Sequence, residues 1–573
     1  MVGSLIYLSS LIFFVFLFFL LLGLQILFWK SLLMKTLGNV FTIYKFILMG
    51  GFVMFELFLF SLENCFLNIF MEMDLWFGLG VHFCVDFYSC LFFIFGMGVS
   101  WSIMQFGLDY MVDEKLVGNF LLFLLIFLVL MFILVFSGNF LLLFIGWEGV
   151  GLLSFLLISW WGGRYDASSG ALQAVYYNRV GDAGLLMFLI LSLSLGNGIW
   201  ILNGFMGSSF FFLFILGVIS KSSQLLFHPW LPNAMEGPTP VSSLLHSSTM
   251  VMAGVFLLMR SLEFFDYLNL IFYMGLFTCL LGGFLGLSHK DFKKVVAYST
   301  TSQLGFMMMV LGTGWSWLCL LYMAVHAFFK AMIFMMSGVV IHMSGGIQDF
   351  RHMYSSLGLN SFMFSFYFWG GFVMVGFPFL SAFWMKDLIL EGIVGGYLGF
   401  FTWCFFFFSV MLTGAYSVRL YVGSFMSGLL VQCKVMVLKV LGPFWPFLRL
   451  GAGSVGVGGL IFMLMGPFGH YLMEAQDKFY ALFVLIVGAT LSVVLKDVLR
   501  SFTYVLGGYL LFFNPLVHKF LSFGGYWGSR VAGLFDFIMV EYFFYGGVKY
   551  LWSLGVSLRV LVVFGGALLF YYF

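Results

Sequence analysis

Eight residues of this 573-residue chain combine a titratable side chain with a place inside an apolar run. Glu148, in FIGWEGVGLLSF, is the only charge between Leu116 and Gly163. Asp182 follows Arg179 by three residues in NRVGDAG, so the two share a helix face. Lys221 stands behind a wall of Phe, Leu, Ile and Val that runs from Phe210 to Ile219. His246 lies on the next apolar run. His326 precedes Lys330 at i,i+4 spacing in VHAFFKAMIF, and residues 295–329 contain no Asp, Glu, Lys or Arg. Lys386 and Asp387 adjoin in PFLSAFWMKDLILE, just after Pro378.

A charge at the bilayer centre costs roughly 2.5–3.5 kcal/mol on insertion scales, so each placement needs a partner or a purpose. Two chemistries fit. In the first, the groups are stations of a proton relay: burial brings lysine and carboxyl groups toward titration near neutral pH, and histidine links them. In the second, each group is half of a static ion pair locking two helices. Either suits one residue; Lys221, Glu148, Lys330 and Lys386 together favour the relay. For Arg179–Asp182 both readings stand: Asp182 balances Lys221, or Arg179 merely pins Asp182. His246 and His326 suit a relay or a hydrogen-bonded structural role. His228, His342, His352, His470 and His518 fall near span ends and receive no role. HKDFKK, from His289 to Lys294, reads as an interfacial anchor.

These residues need helices to hold them in lipid. The chain is 63% hydrophobic and 8% charged, against about 25% charged for a soluble domain. A spanning helix takes roughly 20 apolar residues, which predicts an all-α polytopic membrane protein with about sixteen transmembrane helices. The spans are 4–29, 41–62, 87–108, 117–136, 139–161, 171–195, 208–228 and 239–262. They continue at 268–288, 292–313, 316–343, 361–395, 398–427, 449–468, 479–495 and 555–573. Counted this way, Lys and Arg collect on one side, as the positive-inside rule requires, with Arg260 and Lys478 the chief cations opposite. The mixed charged and aromatic interval 496–554 predicts an amphipathic helix lying along the membrane face.

Other classes recede. The net charge is +2 and no basic cluster points to nucleic acid. Seven cysteines are scattered through apolar runs without metal-ligand spacing, so a metal or iron–sulfur cluster is not expected. No cleavable signal or Arg-rich presequence is evident. The 81 phenylalanines suit a T-rich organellar genome.

The stretch from Lys221 to Ala253, KSSQLLFHPWLPNAMEGPTPVSSLLHSSTMVMA, carries Pro229, Pro232, Pro238 and Pro240. Broken helices beside a lone cation are how many transporters build an ion site. Lys221 and Lys386, each near prolines, stand 165 residues apart, and Ala174–Val175 precedes Arg179 much as Ala324–Val325 precedes Lys330. The pattern suggests a repeat.

FHPWLPNAMEGPTPVSSLLHSSTMVMAGVFLLMR (Phe227 to Arg260) resembles the antiporter-like membrane subunits of respiratory complex I and their antiporter relatives. The resemblance extends through VDFYSCLFFIFGMGVSWSIMQF, GWEGVGLLSFLLISWW, NRVGDAG, KKVVAYSTTSQLGFM, HAFFKAMIFMMSG and FPFLSAFWMKDLILE, covering roughly 82–425. Residues 1–80 match only in hydropathy, and the tail from 428 in layout. The resemblance implies N-terminal helices over 1–116 and two inverted five-helix repeats, 117–262 and 268–427, each with a broken helix. C-terminal helices over 428–495, the lateral helix and an anchor at 555–573 follow. It implies that Glu148 and Lys221 form the first half-channel pair. His246 then connects the halves, His326 and Lys330 extend the relay, and Lys386 with Asp387 forms the second half-channel. The implied function is proton translocation by a core membrane-arm subunit of an NADH:ubiquinone reductase in the inner mitochondrial membrane. NADH, FMN, iron–sulfur clusters and ubiquinone would then belong to other subunits, with none bound here. Lipids such as cardiolipin are candidate ligands, and the partners are the other membrane-arm subunits, above all the neighbouring antiporter-like chain. The alternatives are the large subunit of a multisubunit cation/proton antiporter, or a structural scaffold with static ion pairs.

Overall fold

The computed structural model describes residues 69–74 and 80–465, apart from 113, 195–207, 263–267, 350–360, 378–379, 395–399 and 426–443, together with 487, 490, 526 and 530. The expected spans 4–29, 41–62 and 555–573 lie outside the described residues, as do all but single positions of 479–495 and of the lateral helix 496–554. The chain divides into two compact units, 1–511 and 512–573; the elements below belong to the first.

Two strands come first, β1 (Ile69–Asp74) and β2 (Gly80–Val85), antiparallel from Ile69↔Val85 to Asp74↔Gly80. The all-α expectation holds for the membrane-spanning part, and this short ribbon is the one strand pair among the described residues. The ribbon leans on the turn after the second long helix: Cys84 N–H donates to the Phe136 carbonyl at 2.9 Å, and Gly138 N–H to the His82 carbonyl at 2.7 Å. A Cβ at Gly138 would meet that carbonyl oxygen at 2.7 Å, so only glycine allows the approach.

The helices are α1 (Phe87–Tyr110), α2 (Val117–Val135), α3 (Phe140–Ile158), α4 (Tyr165–Ser194) and α5 (Ser208–Lys221). A short α6 (Trp230–Asn233) precedes α7 (Thr239–Ser247) and α8 (Met250–Ser261). Then come α9 (Leu268–Ser288), α10 (Phe292–Gly312), α11 (Ser316–Met343), α12 (Ser361–Val375), α13 (Ser381–Val394), α14 (Phe400–Phe425) and α15 (Phe444–Met465). Among the described residues eight helical stretches are long and apolar enough to cross a membrane, Thr239–Ser261 counted as one. The chain is a polytopic helical membrane protein.

The centre of the bundle is α11. Every residue from Leu318 to Ile341 is buried, by α1, α7, α10, α12, α13 and α15 among others. A helix apolar on all sides has no reason to face solvent, and this one carries His326 and Lys330. Beside it α9 and α10 approach backbone to backbone: a Cβ at Gly275 would lie 2.6 Å from Met309 N and 2.7 Å from the Gly305 carbonyl oxygen. Small residues allow such contact between membrane helices.

Three breaks interrupt the helices. The first begins at Lys221, where α5 ends; residues 222–229 are non-helical and Ser223 and Leu226 have φ of 48° and 73°. Trp230 Nε1 donates to the freed Ser220 carbonyl at 3.0 Å, and Pro240 opens α7, where its missing N–H leaves no bond unmade. The second break, at Ser248–Thr249, splits the span expected over 239–262. Thr249 Oγ1 donates to the Leu244 carbonyl at 2.8 Å, beside the long Ser248 N–H bond of 3.4 Å to the same oxygen. The third splits the span expected over 361–395, at Gly376, whose φ of 87° favours glycine.

Arg260 is a buried clamp on α8, forming an ion pair with Asp86 and donating to the carbonyls of Val135 (3.0 Å) and Ser137 (2.9 Å). It thereby ties α8 to the start of α1 and the end of α2.

Candidate functional site

The candidate residues fall into three groups. The first surrounds Trp147 on α3. Lys221 sits in the last turn of α5, 1% exposed. Its ammonium donates to the Trp147 carbonyl at 3.3 Å and lies 5.3 Å from the Trp147 ring centre. Gly151 makes room, since a Cβ there would stand 3.1 Å from Nζ. The same tryptophan donates from Nε1 to Asp182 Oδ1 at 2.8 Å. Arg179 Nη1 pairs with Glu148 Oε1 at 2.7 Å and stands 3.8 Å from Asp182 Oδ2. The residues expected as the first half-channel pair share one neighbourhood without direct contact: Glu148 holds Arg179, and Lys221 holds the carbonyl next to Glu148. The reason is α4, which brings Arg179 to Glu148 and leaves Asp182 facing the tryptophan.

The second group is histidine. His246, on α7, is 1% exposed, and neither ring nitrogen has a hydrogen-bond partner; its ring stands 5.9 Å from that of Trp230. His326 Nδ1 lies 3.2 Å from the Ser247 carbonyl. A carbonyl only accepts, so the bond puts a proton on Nδ1, while Nε2 has no partner. The break after Ser247 thus places the two histidines on consecutive residues of α7, one carried there and one bonded there.

The third group is a pair of lysines. Lys330 Nζ donates to Ser299 Oγ and lies 3.6 Å from Met374 Sδ. Lys386 Nζ donates to the carbonyls of Met374 (2.9 Å) and Val375 (3.0 Å), with Thr413 Oγ1 at 3.5 Å. Those carbonyls close α12, and the turn at Gly376 leaves them without intrahelical donors. Both lysines meet at Met374, and their like charges repel. Asp387, on the same helix as Lys386, is also buried.

Several participants carry no charge and escaped a search for charges: Trp147, Ser299, Met374, and a polar cluster of Ser302, Gln303, Tyr322 and Tyr416. The sole signal was the polar run STTSQ inside α10. The anchor reading of HKDFKK also needs correction at Lys293, which is buried and donates to the Gly237 carbonyl at 3.2 Å. Its neighbour Lys294 pairs with Glu236 at 3.2 Å and Asp291 at 3.4 Å. In the same loop burial lowers His289 to about 4, against the pull of Asp291. Among the described residues no three His, Cys, Asp or Glu side chains group as metal ligands.

Residues 137–413 match the family described as NADH:quinone oxidoreductase/Mrp antiporter, TM. NADH-ubiquinone oxidoreductase chain 5 of Branchiostoma lanceolatum is 41% identical over 436 residues, 73% of this chain and 71% of that one. The same chain of Dugong dugon is 39% identical over 470 residues, 79% and 76% of the two. Among solved structures, the Mrp complex from Dietzia sp. superposes with a TM-score of 0.76 at 22% identity, over 96% of this chain and 63% of that one. An archaeal membrane-bound sulfane sulfur reductase does so with 0.63 at 18% identity, over 78% and 98%. The structural likenesses speak for the fold; identity at this level across most of both sequences speaks for kinship, and the chain belongs to the NADH-ubiquinone oxidoreductase chain 5 family.

Proposed function

We propose that this chain is a proton-translocating membrane-arm subunit of NADH:ubiquinone oxidoreductase in the inner mitochondrial membrane. Its relay runs from Glu148 through Asp182 and Lys221, His246, His326 and Lys330 to Lys386 and Asp387. The helices α2–α8 and α9–α14 are read as two inverted repeats, each broken at its fourth member. NADH, flavin, clusters and ubiquinone belong to partner subunits in this reading. The outward face of α4 suits a neighbouring membrane chain: Arg179 is 60% exposed there, between Tyr176 and Val180, and lipid is a poor solvent for a guanidinium.

One observation carries the relay over the scaffold. A static lock needs an opposite charge, yet Lys330 and Lys386 are bonded to neutral oxygens and a thioether, and among the described residues no carboxylate is in ion-pair contact with them. Groups so placed can gain and lose a proton without breaking an ion pair. The antiporter alternative is also consistent with the family match and the fold likeness, and is less specifically supported than the first reading.

The test is Lys221→Met and Lys386→Met, each in the assembled complex, with protons moved per electron as the readout. The relay reading expects assembly to persist and the ratio to fall. A normal ratio overturns it, and loss of assembly in both variants favours the scaffold.

A further inference from the structure

The strongest feature outside the charged row is a hydrogen-bonded cluster joining three helices. Tyr322, on α11, donates to Gln303 Oε1 on α10. Gln303 Nε2 donates to the Tyr416 hydroxyl on α14 at 2.9 Å. Ser302 Oγ stands 3.0 Å from that same hydroxyl and 3.0 Å from the Ser299 carbonyl. All five residues are buried. The cluster touches the relay at both ends. Ser299 receives the Lys330 ammonium, and Tyr322 is eight residues before Lys330 on one helix face. Thr413, three residues before Tyr416, stands beside the Lys386 ammonium, and Cys279 lies within electrostatic reach of both Tyr416 and Lys386.

The proton count is informative. The Ser302 hydroxyl has one proton and two acceptors within reach. In one arrangement it serves Tyr416, and the phenol proton is free to turn toward another acceptor. In the other it serves the Ser299 carbonyl, and Tyr416 donates to Ser302. The two differ by rotation of two O–H bonds, and no heavy atom has to move.

We propose that Tyr416 is a positioning residue for proton transfer between Lys330 and Lys386. With Ser302 and Gln303 it forms a two-state hydroxyl latch that holds α10, α11 and α14 in register and orients the polar path between the two lysines. This rests on the relay reading above.

The test uses the assembled complex with Tyr416→Phe, which keeps the ring and removes the hydroxyl, beside Gln303→Met and Ser302→Ala. Lys386→Met serves as the control for the relay itself. Assembly and quinone reduction in the presence of an uncoupler report the fold; coupled proton transfer and its solvent isotope effect report the latch. Tyr416→Phe is expected to slow coupled proton transfer about tenfold, the worth of one hydrogen bond of ordinary strength, and to change the isotope effect. Ser302→Thr, which keeps the hydroxyl, is expected to restore most of what Ser302→Ala loses. Normal transfer and an unchanged isotope effect in Tyr416→Phe, with transfer lost in Lys386→Met, overturn the latch and leave the relay. Normal transfer in Lys386→Met overturns the relay. If Tyr416→Phe does not assemble, Ser302→Ala against Ser302→Thr decides, and equal rates in those two overturn the latch.

Discussion

The surroundings of Lys221 and of the Lys330–Lys386 pair solve the same problem, an amine buried among apolar helices, in different ways. Lys221 rests on a carbonyl of α3 within the field of two carboxylates, one of which shares an exposed arginine with the other. Lys330 and Lys386 are buried too, but what accepts their hydrogen bonds is neutral: a serine, two helix-end carbonyls and a methionine sulfur. The first arrangement can be switched by moving a charge, since Arg179 can serve Glu148 or Asp182. Among the described residues the second has no such lever in contact, and in the relay proposed above it would be switched by proton position and hydroxyl rotation. The first region is arranged for ion-pair exchange, the second for hydrogen bonding.

Substitutions that remove one kind of control and leave the other sharpen this contrast. The largest effect is expected for Lys330→Met, where proton transfer measured in reconstituted complex falls roughly a hundredfold, the low end of what a positioned acid–base group contributes. No second substitution at a carboxylate is expected to recover it, Asp387→Asn included. Lys221→Met behaves differently, because it leaves carboxylates in excess. Adding Asp182→Asn is expected to recover about 1–3 kcal/mol of stability in a double-mutant cycle followed by thermal unfolding. Additivity there would make the two regions alike.

Two glycines separate backbone strain from crowding of the amine. Gly376→Ala places a side chain at positive φ with its Cβ 3.2 Å from Lys386 Cδ. It should destabilise the complex by about 1–2 kcal/mol. Gly151→Ala lies within a helix, where alanine is favoured by roughly 1 kcal/mol. Its Cβ displaces the Lys221 ammonium, so stability is expected to hold while proton transfer drops. The smallest effect concerns His289. Its protonation is suppressed to about 4 mainly by burial, so the neutral form is the one folding favours. The stability this contributes is complete above the unfolded value near 6.5 and is lost as pH falls from there toward about 4. His289→Asn should flatten the unfolding-temperature profile in that window and leave pH 8 unchanged.

Charge in an apolar sequence is easily read, because each isolated Lys or Glu is conspicuous; Glu148, Lys221, Lys330 and Lys386 stood out for that reason. The bounds of α9, α10 and α11 followed equally well, as their apolar runs are unbroken and flanked by polar turns. What escaped were features without a compositional signature. A broken helix near Pro378 was expected, but its exact place at Gly376 depends on one positive φ that the sequence does not show. The ribbon over 69–85 uses the same Phe, Met and Val as the helices, so no local pattern set it apart. The partners of Arg260 escaped because only the third dimension brings Asp86 and two carbonyls to it. The Glu148–Arg179 pairing depends on the rotation of α4 against α3, and Tyr416 on an approach of α14 that lies over one hundred residues from Ser302 and Gln303. Sequence located the amines; packing chose their partners.

Lys330 gives the central claim its sharpest test, since among the described residues it forms no ion pair. The measurement is the number of protons moved per electron by complex assembled with Lys330→Met, taken beside the uncoupled rate of quinone reduction. The relay account expects assembled complex, active in the presence of an uncoupler, with a lowered proton-to-electron ratio. Assembled complex with an unchanged ratio would contradict it.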